Sequence, residues 1–296
     1  LGRGDVSGAG GDMREGMGSR GRVLGGEHPD TLSAVGSVGV LIKAQGRLSE
    51  AEAFYREALE GRRRVLGDDH RETLFSIIST GLLLKAQGRL SEAEPYYREA
   101  LETSRRVLGD DHLDTLTTIA NMGVLIKAQG RLSEAEAFYR EALEGRRRVL
   151  GDEHPDTLGS INNMGVLLNA QGRLSEAEPY YREALETRRR VLGDDHPDTL
   201  DSINNMGTLL YAQGRLSEAE TYFRGALETA RRVLGDEHPS TLISINNMSV
   251  LLRKQGRLSE AEPYYREALE TRRRVLGDEH PSTLNSISGI GVLLQK

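Results

Sequence analysis

The sequence repeats itself every 42 residues, and this period constrains the fold more than any other feature. A string of the type Leu-Gly-Asp/Gly-Asp/Glu-His begins at Leu24, Leu66, Leu108, Leu150, Leu192, Leu234 and Leu276. All seven histidines of the chain fall in this string: His28, His70, His112, His154, His196, His238 and His280. A period of this length indicates an array of supersecondary units in which each repeat contacts only its neighbours.

The first half of each repeat has the pattern of an amphipathic helix. In residues 154–192, apolar side chains recur at three- and four-residue spacing from Leu158 to Leu168. Pro155 suits the first turn of a helix, where a missing N–H costs nothing. Gly172 follows the last apolar residue and predicts a left-handed helix end.

The second half of the repeat predicts another helix. Ala177, Tyr181 and Ala184 form a small–aromatic–small stripe at helical spacing. Ser175 and Glu178 have the spacing of a capping box, so we expect the helix to begin there. Two helices and two short turns therefore make up one repeat. Blades of the WD40 type have a similar period but need strand alternation and a Trp-Asp signature, and this chain has no tryptophan.

Gly165 in the first helix, opposite the small–aromatic–small stripe of the second, resembles a tetratricopeptide (TPR) hairpin. The extra length over the usual repeat of about 34 residues makes the chain similar to kinesin light chain repeats. So do the strings Leu-Gly-Asp-Asp-His-Pro, Ile-Asn-Asn-Met-Gly and Ala-Glu-Pro-Tyr-Tyr-Arg-Glu-Ala-Leu. The resemblance covers residues 24–296. It implies an all-α fold, a right-handed α-solenoid of tandem helix-turn-helix TPR hairpins.

Two regions follow from the repeat pattern. Residues 1–26 are glycine-rich and read as a decayed partial repeat, in which Arg3-Gly4-Asp5 matches an adhesion tripeptide by chance. Residues 27–296 read as the TPR solenoid, with six full hairpins and one terminal unpaired helix. Solenoids usually end in polar caps, and this last helix is apolar, so we expect the parent protein to continue.

Composition excludes several classes of site. The chain has no cysteine, which rules out disulfides, thiolate catalysis and cysteine-ligated metals. A net charge of −6 argues against a general nucleic-acid binder. No apolar run approaches the length of a membrane span and no signal peptide is visible. We therefore expect a cytoplasmic protein that has no cofactor and contacts neither nucleic acid nor membrane.

No residue pattern indicates catalysis. The histidines recur once per repeat beside a helix start, so stacking holds them apart, and we interpret them as structural residues rather than metal ligands. Acidic pairs such as Asp194-Asp195 precede a helix N-terminus, where negative charge is favourable. Arginine clusters such as Arg188–Arg190 are interpreted as compensated helix ends rather than as a phosphate-binding stripe. We predict that the protein is not an enzyme.

Comparison between the repeats identifies a candidate binding surface. The packing positions barely change, whereas one face of the first helix varies, and in TPR arrays that face lines the concave groove. The kinesin light chain resemblance implies that asparagines there hydrogen-bond an extended peptide backbone. The asparagines are Asn121, Asn163, Asn205 and Asn247, with Asn162, Asn204 and Asn246 beside them. One helical turn further along, the basic residues are Lys43, Lys85, Lys127 and Arg253.

Each row has a second interpretation. The asparagines would also suit hydrogen bonds between neighbouring helices, and the lysines would also suit a solvated surface. The predicted function is a scaffold or adaptor that binds a partner protein or an extended peptide, in the manner of cargo or client recruitment by kinesin light chains. An acidic peptide is favoured if the lysines contact it. The alternative is a sensor or regulatory array of a larger signalling NTPase or enzyme.

Overall fold

The computed structural model describes residues 22–294, so most of the predicted partial repeat, including Arg3-Gly4-Asp5, lies outside the described residues. No strand is present in the described part of the chain. The first helices of successive repeats are α1 Pro29–Ala44, α3 Arg71–Ala86, α5 Leu113–Ala128, α7 Pro155–Ala170, α9 Pro197–Ala212, α11 Pro239–Lys254 and α13 Pro281–Leu294. The second helices are α2 Leu48–Leu66, α4 Leu90–Leu108, α6 Leu132–Leu150, α8 Leu174–Leu192, α10 Leu216–Leu234 and α12 Leu258–Leu276.

The helices form two compact units that divide between Val149 and Leu150. The N-terminal unit holds repeats 1 to 3, and the C-terminal unit holds repeats 4 to 6 and α13. Within each unit, helices that are consecutive in sequence pack against each other. The prediction of an all-α solenoid built from tandem helical hairpins is therefore confirmed within each unit.

The two helices of a repeat are antiparallel and close together. In repeat 1, Leu32 near the start of α1 faces Gly61 near the end of α2, while Gly39 faces Tyr55. The predicted close approach at Gly165 is also confirmed. A Cβ atom at that position would lie 2.9 Å from the ring of Tyr181, which is itself buried. The small residue in the first helix thus makes room for the aromatic ring of the second.

The repeated histidines cap the first helices. Each occupies the N-cap position in extended conformation, and the Nδ1 atom accepts a hydrogen bond from the backbone N–H two residues later, at 3.1 Å in the case of His154 and Asp156. The same bond is present at His28, His70, His112, His196, His238 and His280. The cap satisfies one of the free N–H groups that every helix start leaves. This geometry agrees with the structural interpretation of the histidines.

The second helices do not begin with the predicted capping box. Helix α8 starts at Leu174, its N-cap is Arg173, and no side chain caps it. Glu178 therefore lies two residues too far into the helix to bond the N-cap N–H. Its carboxylate instead accepts hydrogen bonds from Gln213 at 3.0 Å and from Arg215 at 3.1 Å, both in the next repeat. The expected local cap is in fact a contact between repeats.

Ion pairs join successive repeats at a constant sequence separation. The last arginine of each second helix pairs with an acidic residue 37 positions earlier, as Arg190 does with Glu153 at 2.6 Å and Arg274 with Glu237 at 2.8 Å. The corresponding pairs are Arg64–Glu27, Arg106–Asp69, Arg148–Asp111 and Arg232–Asp195. Nearly every helix-end arginine of the described chain thus has a carboxylate partner within the protein.

Candidate functional site

The candidate site lies on the variable face of the first helices, defined by four positions per helix. In α3 these positions are Phe75, Ile78, Ser79 and Lys85, and the equivalent positions recur every 42 residues. Most residues at the second and third positions are half-buried or buried, because neighbouring first helices contact each other, as α9 contacts α7 and α11. The variable face is thus partly a helix–helix contact and partly an exposed surface.

In the C-terminal unit, asparagines of neighbouring first helices are paired. The amide of Asn205 donates to Oδ1 of Asn162 at 2.8 Å, and the amide of Asn247 donates to Oδ1 of Asn204 at 3.1 Å. Each pair joins two consecutive repeats. These four asparagines of the row therefore form contacts between helices.

Asn204 differs from the other asparagines because it is buried, with 7% exposure. Its Nδ2 donates to the carbonyl of Leu200 at 3.2 Å and to Oγ of Ser244 at 3.1 Å. One repeat earlier, the equivalent serine, Ser202, accepts from Arg188 instead. The residue equivalent to Arg188 in the next repeat is Ala230, so Ser244 has no guanidinium and bonds the asparagine. Asn204 is held inside the protein by this substitution.

Three of the predicted asparagines keep their amides available. Asn121, Asn163 and Asn246 are half-buried, and their side chains have no hydrogen-bond partner within residues 22–294. An amide has two donor hydrogens and an acceptor oxygen, so it matches the N–H and C=O groups of a peptide backbone. At these three positions the variable face presents amide groups that can bond a ligand.

The lysines of the N-terminal unit form a row of like charges. Lys43, Lys85 and Lys127 occupy the last turns of α1, α3 and α5 and are half-buried. Burial lowers the pKa of Lys85, and repulsion by Lys127 and Lys43 lowers it further. Burial also lowers the pKa of Lys127. The three ammonium groups have no carboxylate partner among the described residues, so their only compensation is water and the negative ends of the helix dipoles.

Apolar side chains lie on the same face as the lysines. Phe75 is 59% exposed and Val40 is 49% exposed, both on first helices of the N-terminal unit. In the C-terminal unit, Ile243 is 52% exposed, and Arg253 is half-buried in the last turn of α11. Each unit therefore has exposed apolar positions on its first helices, near the start at Phe75 and Ile243 and near the end at Val40, and a basic position near their ends.

Sequence reasoning missed a buried role for the first arginine of each cluster. Arg62 and Arg188 are 4% and 8% exposed, and they donate to Ser76 at 2.6 Å and Ser202 at 2.8 Å in the next first helix. Desolvation lowers the pKa of both guanidinium groups. The missed signal was in the repeat comparison, because the same position is Ser104 in repeat 2 and Ala230 in repeat 5. Small residues alternating with arginine indicate a buried position rather than a solvated helix end.

The described residues bring together no group of three histidine or carboxylate side chains that would hold a metal ion. None of the helices in residues 22–294 is long and apolar enough to cross a membrane.

Comparison with known proteins agrees with the repeat architecture. The tetratricopeptide repeat family model matches in six overlapping segments, residues 30–105, 80–148, 117–188, 156–228, 202–273 and 244–296. No curated protein sequence matches the chain.

Solved structures of similar fold include kinesin light chain-like proteins. BtubC (BKLC) from P. vanneervenii is 23% identical, with a TM-score of 0.65 over 79% of this chain and 94% of that protein. A Podospora anserina structure described as a kinesin light chain with nearly identical TPR-like repeats is 20% identical, with a TM-score of 0.62 over 69% of this chain and 97% of that one. Its Q17M variant is 19% identical, with a TM-score of 0.63 over 70% and 98%. The predicted kinesin light chain-type repeat is confirmed as a fold, and the chain belongs to the tetratricopeptide repeat family.

Proposed function

We propose that the protein is a non-catalytic scaffold whose variable face binds an extended peptide segment of a partner protein, with acidic side chains directed to the lysine row. Tetratricopeptide repeats are a general protein-interaction fold. The likeness to kinesin light chain-like structures supports a role in recruiting cargo or client proteins. The absence of cysteine supports a cytoplasmic location, where thiols stay reduced.

The observation that carries the proposal is the unpaired row of Lys43, Lys85 and Lys127. Many arginines of the described chain have acidic partners in their own or a neighbouring repeat, as in the pairs of Arg89 with Glu52 and of Arg131 with Glu94. The lysines are half-buried, repel one another and have none. Bringing like charges together without a counter-charge costs free energy, so an acidic ligand recovers that cost when it binds.

The ligand's other contacts follow from the same face. Val40, three residues before Lys43, and Phe75, on the same face of α3 as Lys85, offer exposed apolar surface, which suits an apolar anchor in a peptide that also has acidic residues. The amide of Asn121 in the N-terminal unit, and separately those of Asn163 and Asn246 in the C-terminal unit, suit the backbone of an extended chain, which they bond without selecting its sequence. Asn205 and Asn247 also bond the peptide backbone while they keep their hydrogen bonds to Asn162 and Asn204. Asn204 is buried, and its role is to position Asn247.

The test uses two octapeptides that differ only in charge, with four glutamates or four glutamines around a central leucine, and isothermal titration at two salt concentrations. The protein variant replaces Lys43, Lys85 and Lys127 with glutamine. We expect the acidic peptide to bind the wild type and to lose at least about tenfold in affinity with the variant, a change of about 1.4 kcal/mol. Added salt should weaken the wild-type complex modestly.

A matched control removes three positive charges from the same repeats on a different face. Arg56, Arg98 and Arg140 are exposed on the second helices, where each pairs within its own helix. Glutamine at these three positions should leave the affinity unchanged. Equal losses in both triple variants would show that only net charge matters, and equal affinities for both peptides would reject the lysine row as the binding site.

The asparagines are tested by separating binding from stability. Asn163→Ala removes an amide that has no partner in the described chain, so it should weaken binding and leave the unfolding midpoint almost unchanged. Asn205→Ala with Asn247→Ala breaks two contacts between helices and should lower both. The triple variant at Asn163, Asn205 and Asn247 should lose most binding while keeping its helical circular dichroism. Unchanged affinity in that triple variant would assign the row to helix packing alone.

A further inference from the structure

A second row of ion pairs crosses the repeats between second helices. Its arginine is the middle one of each cluster, and its partner is a glutamate 36 residues later. Nη2 of Arg63 donates to Oε1 of Glu99 at 2.6 Å, and Nη2 of Arg231 donates to Oε1 of Glu267 at 2.6 Å. Arg105 and Glu141 form the same contact. The terminal nitrogen of this arginine is thus directed towards a carboxylate in three junctions.

One junction of the C-terminal unit lacks the glutamate. The residue 36 positions after Arg189 is Gly225, the only glycine among the six equivalent positions Glu57, Glu99, Glu141, Glu183, Gly225 and Glu267. Nη1 and Nη2 of Arg189 have no partner in the part of the chain that the structure describes. Its Nε atom bonds Asp194 at 2.8 Å, whereas the equivalent distance from Arg231 to Asp236 is 3.3 Å. Without the glutamate, the guanidinium is drawn to its remaining acidic neighbour.

An open cleft of about 500 Å³ lies beside Gly225, between α8 and α10. A Cβ atom at Gly225 would meet nothing within 4 Å among the described residues, so a side chain at this position would begin in open space. Thr221, Tyr222 and Thr229 also line the cleft. The other guanidinium in the lining, that of Arg232, is engaged by both carboxylate oxygens of Asp195. Arg189 is therefore the arginine of this cleft whose two terminal nitrogens have no partner among the described residues.

We propose that this cleft binds the carboxylate of an acidic side chain, preferably glutamate, from a partner polypeptide. The incoming carboxylate takes the position that Glu99 and Glu267 occupy in their own junctions and accepts hydrogen bonds from the terminal nitrogens of Arg189. The protein itself indicates the occupant, because a glutamate side chain bonds the equivalent arginine in three other junctions. The cleft is lined mainly by second helices, together with Ile203 of α9 and the loop residues Asp194 and Asp195, and it includes none of the variable-face positions, so this contact is independent of the proposed peptide site.

The experiment follows the Nε–H resonance of Arg189 by NMR, identified by its loss in Arg189→Gln. The probes are N-acetylglutamate amide, N-acetylglutamine amide and acetate. We expect a saturable shift with the capped glutamate and none with the capped glutamine. In Gly225→Glu the protein's own carboxylate fills the position, so the saturable shift should disappear. In Gly225→Ala, which shortens no distance to Arg189, the shift should remain.

Folding of the variants does not limit the test, since Gly225→Glu restores the residue found at the other five equivalent positions, and circular dichroism monitors each protein. An identical response in the wild type and Gly225→Glu would overturn the site. A response to the capped glutamine equal to that of the capped glutamate would overturn carboxylate recognition. Acetate binding as tightly as the capped glutamate would overturn a polypeptide side chain as the occupant.

Discussion

The close contact between Gly165 and Tyr181 gives the sharpest test of how the two helices of a repeat pack. A Cβ atom at Gly165 would lie 2.9 Å from two ring carbons of Tyr181 and 3.1 Å from a third. The ring is 2% exposed, so it has no free space into which to move. Gly159, six residues earlier in the same helix, has nothing within 4 Å of its ideal Cβ position. The two glycines differ in packing while sharing one helix.

The magnitudes follow from two opposing effects. Replacing a helical glycine with alanine gains about 0.8–1.0 kcal/mol of helix propensity. Gly159→Ala should show this gain alone. Gly165→Ala gains the same amount but forces a methyl group against the ring, and overpacking of this kind costs about 1–3 kcal/mol. Its net effect should therefore lie between roughly no change and a loss of about 2 kcal/mol, and Gly165→Leu should be the most destabilised of the three.

The assay is urea unfolding followed by far-ultraviolet circular dichroism, with all variants compared at the same protein concentration. Asn163→Ala serves as a second control, because its side chain has no partner within the described residues and lies outside the contact with Tyr181. Its free energy of unfolding should change by less than about 0.5 kcal/mol. A Gly165→Ala protein that gained as much stability as Gly159→Ala would refute the packing assignment. So would a larger loss in Asn163→Ala than in Gly165→Leu.

Three further predictions concern titration and capping. Burial raises the pKa of Tyr139 and of Tyr181 to about 12. Since the ordinary value is near 10, the stability that these two residues confer should be complete below pH 10 and lost as pH rises towards 12, where their own phenolate absorbance should appear. Hydrogen bonds from Gln213 and then from Arg215 lower the pKa of Glu178. Its contribution to the free energy of unfolding should therefore be present above pH about 4.5 and fall in more acidic solution. Glu178→Gln should reduce this loss of stability at low pH. His196→Ala should cost about 0.5–2 kcal/mol by removing an N-cap, whereas His196→Asn should retain most of it in thermal melts.

The helices were predictable from sequence because the 42-residue period repeats the same evidence several times. Pro155, Gly172 and the apolar spacing act within one helix, and a local reading assigns them correctly. The capping box at Ser175 and Glu178 was wrong for the opposite reason. Glu178 contacts Gln213 and Arg215, which are 35 and 37 residues away in sequence, and no local pattern reveals that competition.

The candidate site was less predictable because identical residues have different surroundings. Asn162 and Asn204 occupy equivalent positions, yet Asn204 alone is buried, owing to Ala230 in place of an arginine. The lysine row was visible in the sequence, but its lack of acidic partners was not. That property depends on which carboxylates the arginines of neighbouring repeats have already engaged, and only the three-dimensional arrangement shows it.

The constant separation of the Arg190–Glu153 type of ion pair has a consequence for how such a chain changes length. Each ion pair joins an arginine to an acidic residue 37 positions before it. Any segment of 42 residues therefore contains one such arginine and one such acidic residue, which pair with the repeats on either side. Duplication or removal of such a segment within a unit rejoins the same donors to the same acceptors. The array is thus able to gain or lose a hairpin without evolving a new interface, and the Arg189–Gly225 junction is one place where the repeats are not interchangeable.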